Sequence, residues 1–186
     1  MKMAKGHIAR GCIAASILAA GMAAVPFLSP VAEAAASSYR YDSLGRLRKS
    51  CNTTLSQGYR TDYSLDSADN RSAYRNVRTD FIINRNTGIV SPDNRFRLTL
   101  EADGNLVLYQ NSTGPLWSSN TANSGTDRAY FQPDGNLVLY RANDTSTWHS
   151  ETYMYPCSKL ELQNDGNLVI TNLDGKPVWQ TGTGGH

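Results

Sequence analysis

One nine-residue string recurs three times and sets what this chain can fold into. Residues 101–109 read EADGNLVLY, 132–140 read QPDGNLVLY and 163–171 read QNDGNLVIT, each copy 31 residues after the last. The chain's three tryptophans, Trp117, Trp148 and Trp179, keep the same period, and Thr121, Thr152 and Thr183 follow them in register. A fixed period of this size means copies of one supersecondary unit, each burying its apolar face against its neighbours.

Within a copy the residues point to strands. Leu98–Leu100 and the Leu106–Tyr109 run favour extended backbone, and the Asp-Gly pair between them predicts a tight hairpin turn, because glycine accepts a positive φ. In an extended chain Gln132, Asp134, Asn136, Val138 and Tyr140 alternate with Leu137 and Leu139, so the first set shares one face and the leucines face a core. A carboxylate, two amides and a phenol around one small apolar side chain match the hydroxyl rim and C–H face of a sugar. Trp117, Trp148 and Trp179 are predicted to form a central core layer, since tryptophan has a large apolar area to bury.

The pattern Gln-x-Asp-x-Asn-x-Val-x-Tyr, in triplicate with a following tryptophan, resembles the bulb-type (monocot mannose-binding) lectins over residues 80–186. The resemblance implies an all-β, β-prism II fold, with three four-stranded antiparallel sheets about a pseudo-threefold axis and one shallow sugar site per sheet. It implies that Asp134 and Asn136 bind the 2-hydroxyl of mannose, Gln132 the 3-hydroxyl and Tyr140 the 4-hydroxyl, with Val138 against the ring carbons. The first copy (Glu101, Asp103, Asn105, Val107, Tyr109) carries glutamate where glutamine is expected. A carboxylate accepts hydrogen bonds but donates none, and it must be desolvated beneath a sugar. The third copy (Gln163, Asp165, Asn167, Val169) ends on Thr171, too short to replace tyrosine. The middle site ranks first and the other two are weaker.

The rest of the chain reads differently. Residues 1–34 have a basic start (Lys2, Lys5, Arg10), an Ala-rich apolar run and Ala32-Glu33-Ala34, the pattern of a cleaved secretory signal. The expectation is export to the periplasm or exterior with no lasting membrane insertion. Without that segment 15 basic and 15 acidic side chains remain, and nothing calls for nucleic acid. Of the three cysteines, Cys12 lies in the signal. Cys51 and Cys157 are then a pair that an oxidising compartment could join, or two separate thiols. Residues 35–79 are rich in Tyr, Arg, Ser and Asn. Tyr39-Arg-Tyr41-Asp42-Ser-Leu-Gly45-Arg46 resembles a YD (RHS-type) repeat, and a degenerate copy with Asp69 in the place of glycine follows 24 residues on. One and a half repeats bury little, so a short hairpin or a partly disordered stalk is expected there.

No histidine, cysteine or carboxylate pattern sets a base beside a nucleophile, and Asp103, Asp134 and Asp165 fall on different sheets. The Asp-Gly-Asn turns lack the further carboxylates of a calcium loop. The expectation is a non-enzyme without cofactor or metal, whose partners are mannose-containing glycans or a surface polysaccharide. Relatives of this kind dimerise by exchanging C-terminal strands, which leaves a homodimer through residues 177–181 open. Two other readings stand beside the lectin: an envelope module with decayed sites, and a lectin-like bacteriocin.

Overall fold

The computed structural model describes residues 36–54 and 57–186; the candidate signal at residues 1–34, with Cys12, lies outside them. Fifteen strands and no helix make up the described residues. Four belong to an N-terminal sheet: β1 (Ala36–Tyr41), β2 (Leu47–Thr53), β3 (Gly58–Leu65) and β4 (Arg71–Arg78), paired antiparallel in chain order. The remainder are β5 (Phe81–Asn84), β6 (Thr87–Val90), β7 (Phe96–Leu100), β8 (Leu106–Gln110), β9 (Gly114–Ser118), β10 (Thr126–Phe131), β11 (Leu137–Arg141), β12 (Ser146–His149), β13 (Lys159–Leu162), β14 (Leu168–Thr171) and β15 (Pro177–Gln180). They form three antiparallel sheets, ordered β6-β7-β8-β9, β12-β11-β10-β5 and β13-β14-β15, one for each sequence copy.

The third sheet has three strands where four are expected. The reason is supply. Residues 81–90 furnish two outer strands: β5 pairs with β10 of the second sheet and β6 with β7 of the first. Beside β13 there is a small cavity of about 150 Å³ instead, lined by Leu160 and Lys159 together with Phe81 and the N-terminal sheet's Arg60 and Val77.

Period-two leucines build the interior. Leu98, Leu100, Leu106, Leu108, Leu137, Leu139, Leu168 and Ile170 are completely buried in one cluster. Against it pack Trp117, Trp148 and Trp179, partly buried, with each pair of ring centroids 5.8 Å apart and the planes at 72–82°. Edge-to-face contact is the arrangement that aromatic quadrupoles favour, and three rings meeting this way hold the three sheets together. The copies also interlock through their turn glycines. A Cβ on Gly104 would press on Thr126, one on Gly135 would meet the Tyr155 carbonyl oxygen at 2.1 Å, and one on Gly166 would meet Phe96 at 2.6 Å. Each unit's turn thus rests on the following unit, and the third rests on the first.

The N-terminal segment is more ordered than the expected hairpin or stalk. Its two hairpins turn alike: the Asp42 side chain accepts the N–H groups of Leu44 and Arg46, and Asp66 those of Ala68 and Asn70. Gly45 and, 24 residues on, Asp69 both take a left-handed φ, 77° and 65°. The face carrying Cys51 and Lys49 looks onto the prism. Cys51 and Cys157 form a disulfide, Lys49 Nζ donates to the Leu173 carbonyl at 2.9 Å, and Arg40 pairs with Asp174. At the join, the buried Asp80 carboxylate accepts the Gly58 N–H at 2.9 Å and the Arg78 guanidinium at 2.7 Å. Burial pulls the Asp80 carboxyl up, but Arg78 and the Gly58 N–H outweigh it and hold the group below its usual range.

Candidate functional site

A fully extended chain would carry all five motif residues on one strand, and the structure departs from this. Strand β10 ends at Phe131 and β11 begins at Leu137, so Gln132, Asp134 and Asn136 sit on a five-residue turn and only Val138 and Tyr140 on the strand. The turn is closed by Gln132 N–H to the Asn136 carbonyl at 2.8 Å and Gly135 N–H to the Gln132 carbonyl at 3.0 Å, with Gly135 at φ 91°. Asp134 Oδ1 accepts the Asn136 N–H at 2.9 Å, as short Asx side chains do in turns. The first and third copies repeat this geometry at Asp103 and Asp165.

Asn136 does a second job that its place in the motif does not announce. Its Oδ1 accepts Ser150 Oγ at 3.0 Å and the Thr152 N–H at 3.1 Å, while Thr152 Oγ1 donates to the Gly135 carbonyl at 2.7 Å. The same network joins Asn105 to Ser119 and Thr121, and Asn167 to Thr181 and Thr183. This accounts for the threonine that keeps step with the tryptophan. The oxygen of each asparagine therefore holds the turn, which leaves the amide nitrogen of Asn136 as the group it can offer a ligand. Ser119, Ser150 and Thr181 were detectable in sequence, since they stand two residues after each tryptophan.

Gln132, Asn136, Val138 and Tyr140 line one shallow cavity of about 240 Å³ on the middle sheet. Asp134, on the same turn, is not part of that lining; it is half-buried, and burial raises its carboxyl above the usual range. Two neighbours enclose this turn. The Cys157 N–H donates to the Pro133 carbonyl at 3.2 Å, and Gly58 of the N-terminal sheet lies so near that a Cβ there would be 3.2 Å from Pro133 Cα.

The three copies differ in how their hydrogen bonds run. In the middle copy Gln132 Nε2 donates to Tyr140 Oη at 3.0 Å, which leaves the phenolic proton and the Gln132 carbonyl oxygen for a ligand. In the first copy the direction is reversed. Tyr109 Oη donates to Glu101 Oε1 at 2.7 Å, and this bond to the carboxylate raises the Tyr109 hydroxyl's pKa. That pair consumes its own donor. In the third copy Asn167 Nδ2 donates to Gln180 Oε1 at 3.0 Å, so its amide nitrogen is engaged, and Thr171 stands where the phenol would be. A cation outside the motif also keeps the period: the Arg128 guanidinium lies 5.2 Å from the Tyr140 ring centroid and Arg97 5.3 Å from that of Tyr109, with Lys159 at the third position.

Comparison with known proteins points to lectins of the same fold. Residues 80–159 match the family model described as D-mannose binding lectin. The solved lectin of Marasmius oreades is 34% identical over 56% of this chain and 87% of its own, with a TM-score of 0.51. A lectin of Gastrodia elata, described as a monomeric monocot mannose-binding lectin, is 28% identical over 56% of this chain and 91% of its own, also at 0.51. No curated protein sequence matches.

Proposed function

The chain belongs to the D-mannose binding lectin family, and from that premise we propose that it is a secreted, non-catalytic sugar-binding protein whose working site is on the middle sheet. Gln132, Asn136 and Tyr140 supply the donors and acceptors for the ring hydroxyls of mannose or a related pyranose. The second carboxylate oxygen of Asp134 accepts a hydrogen bond from a ring hydroxyl, and Val138 packs under the ring carbons. The observation that carries this reading is the hydrogen bond from Gln132 to Tyr140, because it keeps a free donor and a free acceptor side by side over an apolar floor. Tyr109 spends its phenolic proton on Glu101 and neither side chain has another to donate, so the first sheet, like the third, serves mainly as a wall of the prism.

Four or five bonds at ~0.5–1.5 kcal/mol each set against an association cost of at least ~4 kcal/mol give, at best, affinity of a few millimolar for one monosaccharide. Avidity then comes from repeated or branched ligands.

Immobilised mannose tests the assignment. Asn136→Ala is a poor probe because it also removes the brace of the turn. Gln132→Glu imposes the first site's polarity on the middle one and leaves the turn intact. The expected result is loss of retention with an unchanged melting temperature; a variant that elutes with wild type would refute the middle site.

A further inference from the structure

We propose that the middle site continues across β12 into a second subsite, formed by Ser146, His149 and Tyr153, that takes the next sugar residue of an oligosaccharide. The proposal rests on the reading of the Gln132–Tyr140 face as a pyranose site.

Strand pairing provides the first argument. In the second sheet Val138 lies opposite His149 and Tyr140 opposite Ser146, and directly paired residues present their side chains on the same face. Both therefore stand beside the proposed sugar position, and together with Asp144 and Tyr153 they form the far wall of the same cavity.

The internal threefold repeat provides the second, since it is a control built into the chain. Val107 pairs with Ser118 and Tyr109 with Pro115 in the first sheet; Val169 pairs with Gln180 and Thr171 with Pro177 in the third. The position of Tyr153 is held by Ala122 and Gly184 in the other copies. A hydroxyl, an imidazole and a phenol thus converge only where the five-residue motif is complete. The prism folds without them twice over, so the fold does not require them. Tyr153 is 59% exposed and His149 is exposed as well.

Chemistry sets the class of ligand. Ser146 and His149 both donate and accept, which suits hydroxyl groups, and an open aromatic ring offers a platform to a C–H face. The one carboxylate on this wall, Asp144, is paired with Arg128, so no unpaired carboxylate faces the cavity and the wall suits a second pyranose better than a cationic group. A second ring linked to the first adds contacts without a second association cost.

Two additional hydrogen bonds at ~0.5–1.5 kcal/mol each correspond to roughly tenfold or more in affinity. The test is titration of the full chain with methyl α-mannoside and with a set of α-linked mannobiosides, followed by calorimetry or NMR shifts. Wild type is expected to bind at least one disaccharide about tenfold more tightly than the monosaccharide. His149→Ala and Tyr153→Ala should erase that ratio while leaving the monosaccharide constant unchanged, and Tyr153→Trp should restore it. Equal affinity of wild type for mono- and disaccharides would overturn the subsite and leave the primary site standing. Variants that weaken both ligands alike would overturn it as well, because the residues would then belong to the primary site. If no mannoside binds at all, it is the primary reading that fails, and the subsite falls with it.

Discussion

Leu98, Leu139 and Ile170 are fully buried at the centre of the prism, whereas every residue of β4 except Val77 is exposed. The two regions solve the problem of staying folded by different means. The prism buries a continuous apolar cluster around three tryptophans. The N-terminal sheet has Cys51 as its one buried apolar side chain among the described residues, and it is held by links to its neighbour: the disulfide, the Asp80 bonds, Lys49 on the Leu173 carbonyl and Arg40 on Asp174. Charge divides the same way. Residues 36–78 carry eight cations against four carboxylates, and residues 79–186 seven against eleven. A hydrophobic core makes a region self-sufficient. Cross-links and complementary charge make one dependent on its partner, and the arginines along β4 also discourage pairing of that open edge with another chain.

The contrast can be broken most sharply at the tryptophans. Trp148→Ala should lower prism stability by about 3 kcal/mol or more, seen as a fall in the denaturant midpoint, and no substitution in the N-terminal sheet should match it. Next comes the tether. Cys51→Ser combined with Cys157→Ser should cost about 2–4 kcal/mol, but selectively: hydrogen exchange should open residues 36–78 while β7, β11 and β14 stay protected. Uniform loss of protection would show that the two regions fold as one.

Acid should separate them by order of events. The Asp134 carboxyl is raised by burial, so it takes up a proton above the usual aspartate value of about 3.9, and mannose retention should fall there as pH drops. Because its folded pKa is the higher one, protonation at Asp134 does not destabilise the fold. The Asp80 carboxyl is held low by Arg78 and the Gly58 N–H. Its contribution is present above the ordinary value and is lost as pH falls through the folded one, so the sheet should loosen only after sugar release. Retention and hydrogen exchange followed over one pH series would check the sequence. Smallest of all, Tyr74→Ala, at a side chain 65% exposed, should move the melting transition by no more than about 0.5 kcal/mol.

Much of the prism was legible because its information is local and repeated. Leucine alternation, the Asp-Gly turns and the tryptophan period mark each unit within a few residues of one another. What was hidden depends on partners far along the chain. The N-terminal sheet has no apolar face to read, since its support comes from Cys157, Leu173 and Asp174, more than a hundred residues away. His149 and Ser146 join the site only through strand pairing with Val138 and Tyr140. The asparagine's bracing role requires Ser150 and Thr152 to fold back onto it, and the difference between Gln132 and Glu101 lies in which atom donates. In the motif string that change is one letter. In the structure it decides whether a proton is left for the ligand.

The turn glycines carry one more consequence. Gly104 rests on the second unit, Gly135 on the third and Gly166 on the first, so neighbour relations run round a closed cycle although the backbone runs along a line. The contacts between units therefore do not depend on which unit the backbone reaches first. A circularly permuted chain, begun at the Ser124–Gly125 bend and rejoined at the old ends, should regain the same prism, whereas excision of any one unit should leave two that cannot close.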